Sequence, residues 1–375
     1  MTTTTAAKSK SRRASWKARA GLVLFSFLLT CLALEAGLRV SAAVDRRKAR
    51  AEAKATETSE GEYWAIYDPD LGYKQNPKWG DLNSDGLRDR PIGEKAERTL
   101  LLFLGDSIAL YGDNVDDTFV AYMRAELGRQ DKFQKLEIID AGIKGYTNYQ
   151  ELLYLRKYGL GFKPDIVGVE FCLNDLHKFL HSFQVENGKI VYGSYNFSSE
   201  ALSDVPNKPR TLAQRVVDKS YLLTWFKNNI GIVGRVIAWK ANNGYSFDYK
   251  IDISNAWQDK PWKDIESQFA EARALGQAHS FKMFVVVVPV ASQYDAGYLA
   301  RDRDYVLKPQ RKLKETCDHL NIPFYNLYPD LNANSFIDDG IHLTKEGRQI
   351  VGKRIAAFFA DSHLIPDAAN AGAKP

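Results

Sequence analysis

An α/β fold, with a central parallel sheet of five strands and helices on both faces, is predicted for this sequence of 375 residues. Three observations carry the prediction. Short apolar runs bounded by turn residues alternate with stretches of helical periodicity between 99 and 361. Crossovers of about thirty residues separate successive runs, which suits a helix returning the chain to a parallel neighbour. Phe284 and the four valines Val285 to Val288 form a run with no polar side, as a strand covered on both faces requires.

Composition is that of an ordinary globular protein, 45% apolar and 26% charged, and the length allows one large domain with additions. The net charge of +5 is unevenly placed. Residues 1–54 hold 12 Lys/Arg against 3 Asp/Glu, while the remaining 321 hold 39 against 43. No basic domain surface follows, which argues against a nucleic-acid partner. Cys31, Cys172 and Cys317 lie far apart and give neither metal-ligand spacing nor a disulfide framework.

Residues 1–19 form a polar tail with six basic residues, Lys8, Lys10, Arg12, Arg13, Lys17 and Arg19. Ala20 to Leu34 carries no charge, and apolar character continues to Val44 apart from Glu35 and Arg39. As one helix, 20–44 spans roughly 37 Å at ~1.5 Å per residue, enough for a hydrocarbon core of ~30 Å. Glu35 and Arg39, four apart, can pair on one face. A cleavable signal peptide is the rival reading, because Val40-Ser41-Ala42 loosely fits a cleavage site. The two charges before that site favour an uncleaved transmembrane anchor. Cys31 is poorly placed for lipid attachment, since Thr30 precedes it and the apolar run continues beyond. Arg46, Arg47, Lys48 and Arg50 follow the span, yet the short basic tail is the harder part to export. The tail is therefore expected in the cytoplasm and the rest of the chain outside it.

Residues 45–61 read as a polar stalk, helical or flexible, and 62–363 as the main domain. Within it, 62–97 is dense in turn signals and is expected to pack as irregular structure, with short strands beside the first sheet strand. Sheet strands are expected at 99–104, 136–140, 165–171, 281–288 and about 323–327. Helices are expected near 117–128, 148–159, 258–279, 299–319 and 345–361, the last capped by Thr344. Residues 172–257 interrupt this alternation with a hairpin across Asn187-Gly188 and an amphipathic stretch at 211–240. An insert of this length reads as a lid or binding element. Its aromatics Tyr192, Tyr195, Phe197, Tyr221, Trp225, Phe226 and Trp239 could stack on a sugar or acyl chain, or simply pack the insert's own core. Residues 364–375 read as a disordered tail.

Candidate chemistry gathers at the C-terminal ends of the expected strands. Gly105-Asp106-Ser107 ends the apolar run, placing a serine where open α/β sheets hold their ligands. Free N–H groups at the entry to the next element suit a developing negative charge there. A serine nucleophile needs a base. Among six histidines only His342 has a carboxylate in the turn before it, in Asp339-Gly340-Ile341-His342. Asp339 can reach Nδ1 and set the tautomer, with Asp338 as the nearby rival. Gly142 to Thr147 follows the second strand and Leu173-Asn174-Asp175 the third, offering a glycine N–H and an Asn amide to an oxyanion. His177 and His181 could share a metal on a helix face, but no third ligand accompanies them, and two ordinary polar side chains is the better reading.

Together these segments resemble the SGNH (GDSL-type) hydrolase superfamily across 99–360. Gly105-Asp106-Ser107 is similar to its first block, with Ser107 as nucleophile. Gly145 is similar to the second-block glycine, Cys172-Leu173-Asn174-Asp175 to the third block (usually Gly-x-Asn-Asp), and Asp339 to His342 to the fifth. The run Asn83 to Asp89 is similar to one that precedes the first block in membrane-anchored bacterial members. Cys172 departs from the usual glycine, and Asp140 stands where relatives often have Asn.

The resemblance implies a three-layer flavodoxin-like domain carrying a triad of Ser107, His342 and Asp339. It implies an oxyanion hole of the Ser107 and Gly145 N–H groups with the Asn174 side chain, and needs no metal or organic cofactor. For an anchored chain it implies the bacterial inner membrane, a periplasmic or extracellular catalytic domain, and an acyl-ester substrate on cell-envelope carbohydrate or lipid. Two further readings stay open: an O-acyltransferase to a polysaccharide using the same residues, and a non-catalytic envelope binding protein. A nucleotide binder is disfavoured, since no phosphate-cradling glycine loop follows the first strand.

Overall fold

The computed structural model describes residues 16–55, 64–93, 95, 97–186, 188–198, 220–223, 225, 244–248, 250 and 252–365. The chain divides into two compact units, 1–55 with 207–234, and 56–206 with 235–375. The first contains one continuous helix, α1 (Trp16–Ala55). Its sequence is rich in Leu and Ala and has no proline to interrupt the backbone ladder. Residues Arg19–Ser41 within it are long and apolar enough to cross a membrane, with a mean hydropathy of 2.0. Leu22, Phe25, Leu28 and Leu32 point outward, exposed. Arg39 Nε donates to Glu35 Oε1 at 2.8 Å, the pair expected from their spacing.

The second unit is built on five parallel strands: β3 (Thr99–Gly105), β4 (Leu136–Gly142), β5 (Ile166–Phe171), β8 (Lys282–Val287) and β9 (Phe324–Asn326). Their order is β4-β3-β5-β8-β9, the flavodoxin-like winding in which the chain starts centrally and then turns back the other way. Alternation along β3 sorts its side chains between two cores. Leu100, Leu102 and Leu104 face one cluster, with Leu155, Phe269 and Leu313 from α4 (Asn148–Lys157), α5 (Lys260–His279) and α7 (Lys308–Leu320). Leu101 and Phe103 face the other, with Phe119, Met123, Val351 and Phe359 from α3 (Phe119–Leu127) and α8 (Lys345–Asp361). The Thr118 and Thr344 hydroxyls cap α3 and α8, accepting from Ala121 N and Gly347 N at 3.1 Å each.

Several expectations are corrected here. The helix expected at 299–319 is two, α6 (Ala296–Val306) and α7, joined at Leu307. Pro309 lacks an N–H and fits only the first turn of a helix, so it starts a new one. Strands β1 (Ala65–Asp68) and β2 (Gly72–Gln75) form their own antiparallel pair rather than joining β3. Both edges of β3 are already taken, by β4 and β5. His177 and His181 share no helix: the first lies in a turn and the second in β6 (Phe179–Glu186). That strand pairs with β7 (Lys189–Ser198) as the expected hairpin, and Gly188 in its turn has a φ of +76°. Leu364, read as tail, is only 5% exposed and packs on the α3–α8 face, so the ordered domain passes 363. Phe226, Trp239, most of the 211–240 stretch and 366–375 lie outside the described residues.

Candidate active site

Three loops meet at the C-terminal edge of the sheet, where the winding reverses between β3 and β5. The first carries Ser107, the opening residue of the short helix α2 (Ser107–Leu110). Asp106 caps this helix, its Oδ1 accepting from Ile108 N at 2.6 Å. As the first helical residue, Ser107 keeps an N–H with no partner inside the helix. The turn after Ser107 is clamped by Arg88, whose guanidinium donates to the carbonyls of Leu110 and Gly112 at 2.8 Å each. Asp89 accepts from Arg124 and from Asp140 N, tying the same segment to β4. The run Asn83 to Asp89 thus has a structural purpose that sequence reasoning noted without explaining.

His342 arrives from the turn before α8. Its Nε2 lies 2.8 Å from Ser107 Oγ, and its Nδ1 lies 2.6 Å from Asp339 Oδ2. Asp339 Oδ1 also accepts from Ile341 N and His342 N, at 2.8 and 2.9 Å, so the turn itself holds the carboxylate in place. Burial alone would raise the Asp339 carboxyl. The hydrogen bonds from the His342 ring and the two backbone N–H groups outweigh burial and hold it below the usual range. Asp338, the rival acid, has no hydrogen bond to His342 among the described residues. One partner had no sequence signal: the Tyr111 ring lies against the imidazole, centroids 4.8 Å apart.

Gly145 and Asn174 complete the edge. Gly145 has a φ of +70°, and a Cβ there would collide with His181 Nε2 and meet Tyr73 Oη at 3.2 Å. Only glycine fits this turn. The preceding residue is held by the β1–β2 hairpin: Tyr73 Oη donates to Lys144 O at 2.6 Å, and Lys144 N donates to Gln75 Oε1 at 3.2 Å. Asn174 is buried, and its Nδ2 donates to Asp106 Oδ2 at 3.1 Å, which links the third loop to the first. An amide nitrogen carries two protons, so a second remains for another acceptor. Cys172 opens this loop without a left-handed φ, so the turn makes no demand for the usual glycine. Cys172 N donates to Asp175 Oδ2 at 2.7 Å, and the buried thiol is pushed far up in pKa, first by burial.

Beneath the serine loop lies an acid layer that sequence reasoning missed. Asp106, Glu151, Glu170 and Asp175 are all buried, and burial, then each other's charges, raise the carboxyls of Glu151, Glu170 and Asp175 well above the ordinary range. Glu170 Oε2 accepts from Asp106 N at 3.4 Å; among the described residues both Glu151 oxygens and Glu170 Oε1 have no partner. The signal was available in Glu170, a lone acid in the apolar strand Ile166–Phe171. Among the described residues no group of three His, Cys, Asp or Glu side chains is arranged to hold a metal.

The profile of the GDSL-like lipase/acylhydrolase family matches residues 103–350, about two thirds of the chain and all three loops. The chain belongs to that family. It is an ester-hydrolysing serine hydrolase. No curated protein matches it. Among solved structures it is similar to TesA, at 12% identity over 71% of this chain and 100% of that one, with a TM-score of 0.42. It is similar to a lipase/acylhydrolase from Enterococcus faecalis, at 16% identity over 71% and 95%, with a TM-score of 0.37. A catalytic mutant of an acetylxylan esterase from Geobacillus stearothermophilus matches at 13% identity over 69% and 93%, with a TM-score of 0.39. In this hydrolase Ser107 and His342, which the fold brings within hydrogen-bond distance, lie 235 residues apart near opposite ends of the matched region.

Proposed function

We propose that this hydrolase is a membrane-anchored esterase that removes O-acyl groups from cell-envelope carbohydrate or lipid through Ser107, His342 and Asp339. The observation that carries the reading is the unbroken hydrogen-bond chain from Asp339 Oδ2 through the imidazole to Ser107 Oγ. His342 Nε2 takes the serine proton as Oγ attacks the ester carbonyl. The ionised Asp339 holds the neutral tautomer beforehand and balances the imidazolium that forms. Negative charge on the carbonyl oxygen is met by the N–H groups of Ser107 and Gly145 and by the free proton of the Asn174 amide. His342 then protonates the departing alcohol, and a water activated by the same imidazole frees the acyl group. The proton Ser107 gave up leaves with the alcohol, and the proton taken from water passes through His342 Nε2 back to Ser107 Oγ. Anchoring rests on the apolar segment Arg19–Ser41 and its exposed side chains, with the basic tail in the cytoplasm and the hydrolase unit outside.

The test is turnover of p-nitrophenyl acetate by the full-length protein and its Ser107→Ala variant. Loss of about 10⁴-fold or more is expected, with unchanged melting. A fluorophosphonate should label Ser107 alone. Turnover within tenfold of wild type in the variant overturns the mechanism. Adding oligosaccharide acceptors to the same assay reads out any acyl transfer in place of hydrolysis.

A further inference from the structure

Glu35 is the residue of α1 that simple anchoring leaves unexplained. It lies six residues before Ser41, the end of the apolar segment, and so roughly 9 Å inside that end at ~1.5 Å per residue. A carboxylate at such depth is costly unless donors surround it. Arg39 supplies one donor. The other three come from 185–187 residues further along the chain. Ser220 Oγ and Leu222 N donate to Oε2 at 2.9 and 2.7 Å, and Tyr221 N donates to Oε1 at 3.0 Å. Ser220 Oγ in turn accepts from Leu223 N at 3.2 Å, capping the helical residues Tyr221–Leu223. The first N–H groups of a helical turn, which have no partner within the turn, are thus met by a carboxylate of the apolar span. The Arg39 guanidinium also lies over the Tyr221 ring, 5.4 Å from its centroid.

We propose that the 172–257 insert returns to the membrane at this point, docking Ser220, Tyr221 and Leu222 on Glu35 and Arg39 and laying Leu223 and Trp225 into the lipid interface. The inference rests on the anchoring reading above. Leu223 and Trp225 are 41% and 44% exposed, on a segment fixed to a helix whose own leucines are exposed over the apolar span. A surface continuous with that span shares its covering, and acyl chains are what cover it. Tyr and Trp are also the side chains that favour the headgroup boundary, apolar in body and polar at one edge. The partner is therefore a bilayer surface. Chain connectivity then ties the hydrolase unit to the membrane through the insert as well as through the end of α1.

A bimane probe at position 225 tests this in the full-length protein. Trp225→Cys with Cys31→Ser gives one reactive thiol, because Cys172 and Cys317 are buried. In vesicles of phosphatidylethanolamine and phosphatidylglycerol, doxyl-labelled lipid should quench the probe about fivefold more than aqueous iodide. Adding Glu35→Ala should reverse that order while leaving turnover of p-nitrophenyl acetate unchanged. Glu35→Gln, which keeps one acceptor oxygen, should shift it partway and serves if the alanine variant inserts poorly. Quenching by iodide over lipid before any Glu35 change, quenching by neither, or an order that both Glu35 variants leave intact overturns the docking. Recovery of a soluble chain lacking 20–44 overturns anchoring itself, so the two failures are told apart.

Discussion

Asp339, through His342, and Glu170, through the Asp106 N–H, are two carboxylates linked to one serine loop, and their environments drive them apart. Asp339 sits on an exposed turn, its side chain 41% exposed, with three donors aimed at it. Glu170 sits on β5 with no exposure, and its Oε2 accepts from the Asp106 N–H at 3.4 Å. Burial raises both. At Asp339 the hydrogen bonds win and hold the carboxyl below the usual range; at Glu170 the neighbouring carboxyls of Asp106 and Asp175 add to burial and push it well above. Donor count, rather than nearness to the serine, decides which acid can balance an imidazolium. The buried acids beneath pack against the loop that holds Asp106, Glu170 Oε2 accepting from its N–H.

The sharpest way to break this comparison is to make both acids amides. Asp339→Asn should lower kcat by about 10³–10⁴-fold, because the amide favours the wrong tautomer and carries no charge. Glu170→Gln keeps the shape of an acid whose burial favours the uncharged form and should change kcat by less than about threefold. Equal losses in the two variants, measured on folded protein, would mean that Glu170 works as an ionised group.

Asn174 sharpens the comparison from the side of the loop that joins them. Asn174→Ala should lower kcat by roughly 10²–10³-fold, or ~2.7–4 kcal/mol, with KM nearly unchanged. Fluorophosphonate labelling should slow without disappearing, since Ser107 and His342 remain. A near-normal kcat would reduce Asn174 to a brace for Asp106.

The smallest expected effect is on stability, at Asp140. Burial, then the neighbouring charge of Asp89, pushes this carboxyl up to about 7 from an ordinary 3.8. The folded state therefore holds a proton that the unfolded chain releases, and stability is lost as pH climbs between those two values. Asp140→Asn keeps an acceptor for Gly142 N and a group to meet the Thr118 hydroxyl, and removes the titration. The variant should be more stable than wild type by on the order of 1–4 kcal/mol at pH 8, a gap that closes towards pH 4. Thermal melts across that range check it, and a gap independent of pH would contradict the buried charge.

The sequence by itself determined the sheet and where to look for chemistry. Apolar runs of strand length and helical periodicity are local properties, so β3, β4, β5, β8 and β9 were each legible from their own residues. Ser107, Gly145, Asn174 and His342 were legible because each lies just past a strand or before a capped helix, in segments with a known resemblance. Pro309 was equally legible as a helix start, yet the periodic pattern on either side masked the break at Leu307. Only the tertiary structure decided partners. It chose Asp339 over Asp338 because one carboxylate closes the turn onto its own backbone N–H groups. It set β1 and β2 apart by filling both edges of β3, and brought Ser220 to Glu35 across 185 residues. Burial is likewise a property of the closed fold: Glu170 and Asp339 are both carboxylates in the chain, and only the surrounding atoms push one up and hold the other down.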